Sequence, residues 1–496
     1  MSGKRVSGGK GDLWRWPEVP RHSETTELLD GTEGALKEYG TVSKLLKSPY
    51  YEPKPPMCYP GTPLLEAQME CINHIIVAQL NAIGTHTRGK QGETGFGDLH
   101  DVESRAIWMM ASVMGGTPDT VDGYFCGGAT EANDQSLWIG REWLRLRSDP
   151  MNRGVAVLCT PLTHYSIDKA CDKMDLGKSR WSRCPRCRRD HLLITDPRGS
   201  GTTLVGMNHK GEMDVDDLER VFRLRYEEGF RRFLVVANVG TTVMGSIDPV
   251  EAIGARIDKL QHDTCANIYL HVDAAFAGFT VPFVNKDLKF GFNVEQVMSV
   301  SIDGDKMGRL PYPGGIFLCR KDLQSLVARQ VAYIGGNEDD TFCGSRTSVA
   351  PILAWLQFQT FGMEGQREYV QKCLDVRQTL ITSINERLQS RAHFRMLPYS
   401  PWVNQLPIEM NLDARTGRIP EVADYPDNPL VKKIQAILEP YHLRHDFFPS
   451  DPMRPTSCPR LIYKLCIMPH HTPQHMLTFV DDLVAIDRLW AEQTGR

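Results

Sequence analysis

The sequence predicts an α/β protein of two units, a large one built on a mostly parallel sheet and a smaller α+β one at the C-terminus. Three observations carry this. Short β-rich apolar runs alternate with helical stretches from about residue 61, the pattern of strands buried on both faces by crossover helices. Small-residue turns and lone polar residues fall at the ends of those runs, where open α/β sheets bind ligands. After about residue 365 the texture changes to one long helix, short strands, turns and a closing helix.

The elements follow in order. Residues 1–30 are polar and rich in Gly, Ser and Lys, and predict a mobile start. Tyr50-Tyr51-Glu52-Pro53-Lys54-Pro55-Pro56 is punctuated by proline and must be extended, so 1–60 read as an arm lying on the body or on a second subunit. Apolar periodicity predicts helices over 64–83, 102–114 and 136–146. Strands are predicted over 154–159, 233–238, 267–272, 299–302 and 315–318. Together these give a large domain over 61–365. A helix over 368–389 and a closing helix over 474–490 belong to the small domain, 366–496.

Composition excludes several roles. The 496 residues carry 57 Lys+Arg against 61 Asp+Glu, a net charge of −4, without the basic excess that nucleic acid requires. Hydrophobic residues make up 41%, enough for a large core, yet no apolar run is long enough to span a bilayer. The 13 cysteines are scattered, and no apolar segment follows the charged N-terminus, so a reduced cytoplasmic setting is expected. Cys184-Pro185-Arg186-Cys187 has the spacing of half a zinc site, but no second pair matches it. An exposed basic insertion is the better reading, and no metal is expected.

Four features carry chemistry. Cys126-Gly127-Gly128-Ala129-Thr130-Glu131-Ala132-Asn133 precedes a helical pattern, so its backbone N–H groups can meet a phosphate; taken alone, such a motif is more often just a tight turn. Asp273, in His271-Val272-Asp273-Ala274-Ala275-Phe276, ends an apolar strand. A carboxylate there can hold a ring nitrogen protonated, or it can simply cap a helix. Lys306 follows the next strand end and can act as an amine nucleophile if desolvated. Thr163-His164-Tyr165-Ser166 can set an imidazole against an aromatic ring, although lone histidines are commonly structural.

Taken in order, these motifs resemble the group II pyridoxal-phosphate-dependent amino-acid decarboxylases, the glutamate, aromatic and archaeal tyrosine/aspartate types. The resemblance runs from about Gly95 to Leu483 and includes Val239-Gly240-Thr241-Thr242-Val243-Met244-Gly245-Ser246-Ile247-Asp248-Pro249. It implies the fold type I, aspartate-aminotransferase-like architecture and a pyridoxal 5'-phosphate cofactor. Lys306 would bear the Schiff base and Asp273 would pair with the ring nitrogen. His164 and Ala275 would lie against the two ring faces, Gly128, Ala129 and Thr130 would hold the phosphate, and Thr241 would lie near the cofactor. Tyr333, on a loop similar to that of bacterial glutamate decarboxylase, would return a proton to the substrate carbon. Such loops are shared between subunits, so a homodimer is implied.

The implied reaction is decarboxylation of an L-amino acid, aromatic or acidic. Rivals are a carbon–carbon lyase, an aldehyde-forming oxidative decarboxylase and a non-catalytic scaffold. Arg346, His470 and Lys464 are candidates for the substrate side. One position departs from the family. Asp305 stands where a phosphate-binding His usually precedes the lysine, so either Arg346 or another base compensates, or the phosphate is held differently.

Overall fold

In the computed structural model, residues 52–494 are described apart from 62, 79, 90–95, 148–153, 178, 184–189, 195–200, 335–337, 389–392, 414–418, 456 and 458. The large unit opens with α1 (Glu66–Ala78) and α2 (Gly97–Val113). Its central sheet has seven strands: β1 (Val121–Cys126), β2 (Val155–Cys159), β3 (Gly201–Leu204), β4 (Arg232–Asn238), β5 (Asn267–Asp273), β6 (Val297–Asp303) and β7 (Gly315–Arg320). Their order is β1-β7-β6-β5-β4-β2-β3. Only β7 runs against its neighbours; β6, β5, β4, β2 and β3 pair in parallel.

The side-chain alternation of β4 shows why the runs are continuously apolar. Phe233, Val235 and Ala237 enter the core on one face, and Leu234 and Val236 enter the core on the other. With no solvent face there is no polar alternation, and each large side chain so buried contributes about 1.5–3 kcal/mol. The helices between strands are α3 (Ala129–Leu146), α4 (Tyr165–Lys173), α5 (Val215–Glu227) and α6 (Val250–Asp263). Asp214 caps α5 by accepting from Asp217 N at 2.8 Å, as expected of an aspartate before a helix.

The long helix α7 (Val349–Arg387) joins the two units, and its backbone is non-helical at Gly362. Val370, Cys373 and Leu374 pack into the main core, whereas Val376, Leu380 and Ile381 pack under the small sheet. That sheet is antiparallel, ordered β8-β9-β11-β10 from β8 (Phe394–Met396), β9 (Gln405–Met410), β10 (His445–Pro449) and β11 (Pro459–Cys466). It is covered by α8 (Pro429–Leu438) and α9 (Pro473–Thr494).

The described part of the arm lies on this small unit of its own chain. Met57 N donates to Tyr441 O at 2.9 Å, Cys466 N donates to Met57 O at 2.6 Å, and the Pro56 carbonyl lies 3.1 Å from His471 Nε2. Met57 and Cys58 are buried with the α9 core.

Several boundaries differ from expectation. The first helix ends at Ala78, not 83, and is followed by a short extended segment at Asn81–Ala82. The helix expected over 136–146 begins seven residues earlier, at Ala129. The helix expected from 368 begins at Val349. β1 and β3 were not anticipated. The segment expected to be a basic insertion forms a hairpin, Ser179–Arg183 with Asp190–Ile194; Cys184 and Cys187 lie outside the described residues, as does the arm before residue 52. Among the described residues no helix is long and apolar enough to cross a membrane.

Candidate active site

The C-terminal ends of β4, β5 and β6 lie in register, pairing Asn238 with Asp273 and Asp273 with Ser301. Beside them begins α3, brought close because β7 has no side chain at its first position. A Cβ on Gly315 would sit 2.4 Å from Gly128 Cα, so any larger residue would push the turn away from the sheet. On the other side, Gly240 adopts a left-handed φ of +86°, and a Cβ there would sit 2.9 Å from Ala277 Cβ. Between these walls is a recess with about 360 Å³ free of protein atoms, part of it open to solvent.

The recess is lined by Ala129, Thr130, His164, Thr241, Asp273, Ala275 and Lys306, all anticipated, and by Leu162, Asn238, Gly240, Thr242, Phe276 and Asp303, which were not. Gly128 caps α3 directly behind Ala129. Lys306 Nζ forms an ion pair with Asp303 Oδ2 at 2.8 Å and lies 4.5 Å from the centre of the Phe276 ring. Burial works to lower the pKa of this amine, but Asp303, with Asp273 and Asp305 further off, outweighs it and raises it. Burial pushes His164 the other way, toward the neutral imidazole.

Asp273 is almost fully buried. Its Oδ1 accepts from Ala275 N at 3.1 Å and its Oδ2 from Asn133 Nδ2 at 2.9 Å. Thr241 holds its loop through Ser246 Oγ at 2.7 Å, and Gln405 of β9 donates to the carbonyls of Thr241 and Thr242 at 3.0 and 3.1 Å. The small unit therefore sets the position of this wall.

The start of α3 already holds an oxyanion: Ala129 N donates to Asp303 Oδ1 at 2.5 Å. A helix N-terminus that takes a carboxylate, beside a lysine and a strand-end aspartate, fits a phosphorylated pyridine aldehyde.

The remaining candidates are placed elsewhere. Arg346 is buried and committed to Glu103 at 3.1 and 3.2 Å and to the carbonyls of Phe125 and Gly84 at 2.7 and 3.1 Å. It lies outside the recess and is not the base that offsets Asp305. Tyr333 sits on a short turn, Ala332–Ile334, 85% exposed and away from the recess of its own chain. His470 lies against His471 with ring centres 4.2 Å apart and the rings tilted by 47°, and burial, then His475, pushes its pKa down to about 4. It does not line the recess. Lys464 on β11 lies close enough that its charge helps to keep His164 neutral.

Asp305 is not among the lining residues. Its carboxyl is buried and hydrogen-bonded to Tyr312, and burial, then Asp303, raises its pKa to about 6. The folded protein therefore favours the protonated form. The stability this gives is full below about pH 4 and is lost as pH rises through about 6. Above that, keeping the ionised carboxylate buried costs on the order of 2 kcal/mol. Asp305→Asn should therefore raise the thermal midpoint at pH 8 and by only about half as much at pH 5. An equal shift at both values would exclude this titration.

Fold and recess together define a class, the α/β enzymes that hold pyridoxal phosphate at the carboxyl ends of their strands. Residues 197–397 match the family described as the pyridoxal-dependent decarboxylase conserved domain. Histidine decarboxylase of Raoultella ornithinolytica is 31% identical over 189 residues, 38% of this chain and 78% of that one. Tryptophan decarboxylase of Clostridium sporogenes is 29% identical over 308 residues, 62% of this chain and 67% of the relative. The chain spans about two thirds of the length of this protein and of the tyrosine/aspartate-type relatives it matches. Glutamate decarboxylase of Lactobacillus brevis shares the fold with a TM-score of 0.69 at 18% identity, covering 96% of this chain and 95% of that one. The chain belongs to the pyridoxal-phosphate-dependent amino-acid decarboxylases, which are carboxy-lyases, and its cofactor is pyridoxal phosphate.

Proposed function

We propose that this decarboxylase acts on an aromatic L-amino acid, in a homodimer, with Lys306, Asp273 and His164 as its central residues. The observation that carries the assignment is their convergence, with the start of α3, on one recess at the strand ends. Lys306 would hold the cofactor through its amine, Asp273 its ring nitrogen, and Gly128, Ala129 and Thr130 its phosphate. His164 and Ala275 would fix the ring plane from its two faces, with Thr241 at the edge. When bound, the ring supplies a sink for the electron pair left on Cα as carbon dioxide departs.

The chain's own groups do the rest. Lys306 Nζ, kept charged by Asp303, keeps a proton in the recess. Asp273 keeps negative charge where the ring nitrogen must stay protonated. Phe276 and Leu162 give the recess an apolar wall. The exposed position of Tyr333 supports a role in the partner's recess, where its hydroxyl would return the proton to Cα. Leu65, Met69 and Ile76, 48–58% exposed at or on α1, support the dimer.

Lys464 favours a second reading, an acidic substrate whose side-chain carboxylate it would meet. Carbon dioxide release from L-tryptophan, L-tyrosine, L-phenylalanine, L-histidine, L-aspartate and L-glutamate separates the two. The aromatic substrates should exceed the acidic ones at least about tenfold in kcat/KM, and Lys464→Met should leave that preference in place. Preference for aspartate or glutamate, lost in Lys464→Met, would replace the aromatic reading with the acidic one.

A further inference from the structure

The recess is backed by a buried hydrogen-bond chain that the assigned roles do not use. Asn133, fully buried on α3, satisfies all four of its side-chain positions. Its Nδ2 donates to Asp273 Oδ2 at 2.9 Å and to Ser166 Oγ at 2.8 Å. Its Oδ1 accepts from Ser301 Oγ at 2.6 Å and faces His271 Nε2 at 2.9 Å. Ser166 Oγ in turn lies 2.8 Å from His164 Nδ1.

The proton order of this chain follows from its ends. A carboxylate only accepts, so the amide NH₂ of Asn133 must face Asp273, and its oxygen must face Ser301 and His271. His271, whose pKa burial pushes down to about 4, then carries its single proton on Nε2, which leaves Nδ1 to accept from Ser299 Oγ at 2.9 Å rather than donate to the Ser299 carbonyl at 3.3 Å. The second N–H of Asn133 goes to Ser166. The Ser166 hydroxyl, having accepted there, gives its own proton to His164 Nδ1. A separate contact agrees with this order but is too long to impose it alone: the Ser166 backbone N–H, which can only donate, points at His164 Nδ1 at 3.4 Å, as a helix cap.

We infer that Asn133 and Ser166 are positioning residues that tie the charge on Asp273 to a single tautomer of His164, neutral with its proton on Nε2. One residue of the small-residue motif thus couples the group proposed for the ring nitrogen to the group proposed for the ring face. The inference rests on those two roles for its catalytic meaning, but the tautomer is a property of the protein alone.

The test is a long-range ¹H–¹⁵N correlation on [¹⁵N]histidine-labelled protein, with His164 assigned by the signals missing in His164→Gln. It is run on the protein with and without pyridoxal phosphate. In the unaltered protein His164 should show an unprotonated Nδ1 and a protonated Nε2 in both states. Ser166→Ala should give a mixture of tautomers and lower kcat about tenfold, the effect of one lost hydrogen bond, with KM within about twofold. Asn133→Ala should give the same mixture and in addition weaken cofactor binding about tenfold, because Asp273 also loses a donor. A protonated Nδ1 in the unaltered protein, or a fixed tautomer in Ser166→Ala, would overturn the relay. A correct tautomer in a protein that releases no carbon dioxide would leave the relay standing and overturn the proposed function instead.

Discussion

Lys306→Ala should fold, lose its cofactor on gel filtration and release carbon dioxide at no more than roughly a thousandth of the unaltered rate. The expectation follows from how little else in the recess can replace the amine. Lys306 is the lysine lining it, with a side chain 16% exposed and its charge shared with Asp303. Without it, the recess keeps two carboxylates, Asp303 and Asp273, and a phosphate would meet net negative charge. Among the described residues Asp303 would retain only the Ala129 N–H, so the variant should also be less stable by about 3 kcal/mol, as when one partner of a buried pair is removed. Carbon dioxide release and the thermal midpoint, measured on one preparation, check both parts. Activity within tenfold of the unaltered protein would remove Lys306 from the mechanism.

What the sequence made legible, and what it hid, follows from whether the signal was local. The strands β4, β5 and β6 were readable because each is a run of apolar residues buried on both faces. β1 was not, because Asp122 and Gly123 break its run. Its strand form comes from pairing with β7, from Gly315 against Cys126 to Arg320 against Val121. The first turns of α3 read as polar loop because Asn133, Asp134 and Gln135 carry no apolar stripe. They are buried for other reasons: Asn133 binds Asp273, Asp134 pairs with Lys173, and Gln135 donates to Asp340 O.

The same distinction runs through the site. Asp273, Lys306 and His164 stand in motifs and at strand ends, where a lone polar residue is conspicuous. Asn238 stands at a strand end too, and the rule that located Asp273 would have found it. Asp303 was inside the segment around Lys306, but its place on the start of α3 depends on a fold contact 174 residues away in sequence. Arg346 failed for a related reason. An arginine near an active-site loop reads as a free cation, and nothing local reveals that Glu103, 243 residues earlier, has claimed it.

Asp273→Asn should lower kcat by roughly 10²–10⁴ while leaving the fold intact, and it should disturb His164 as well. The first effect is loss of the charge that would hold a proton on the ring nitrogen. The second comes from hydrogen-bond direction. Both oxygens of Asp273 now face N–H donors, Ala275 N and Asn133 Nδ2. An amide at 273 must turn its NH₂ toward one of them. Facing Ala275 it loses that bond outright, because a backbone N–H cannot reverse. Facing Asn133 it can keep the contact only if Asn133 flips, which turns the Asn133 oxygen toward Ser166 and its NH₂ toward Ser301 and His271. Ser166 would then donate to Asn133 rather than to His164 Nδ1, and the tautomer would no longer be fixed. Asp273→Asn should therefore reproduce, at His164, the mixture of tautomers expected of Asn133→Ala, although residue 273 makes no hydrogen bond to that ring. Asp273→Glu keeps the charge but lengthens the side chain, and should recover part of kcat. If Asp273→Asn loses activity while the ¹⁵N signals of His164 stay those of a single Nε2–H tautomer, the charge and the ring are not coupled through Asn133, and Asp273 acts on the cofactor alone.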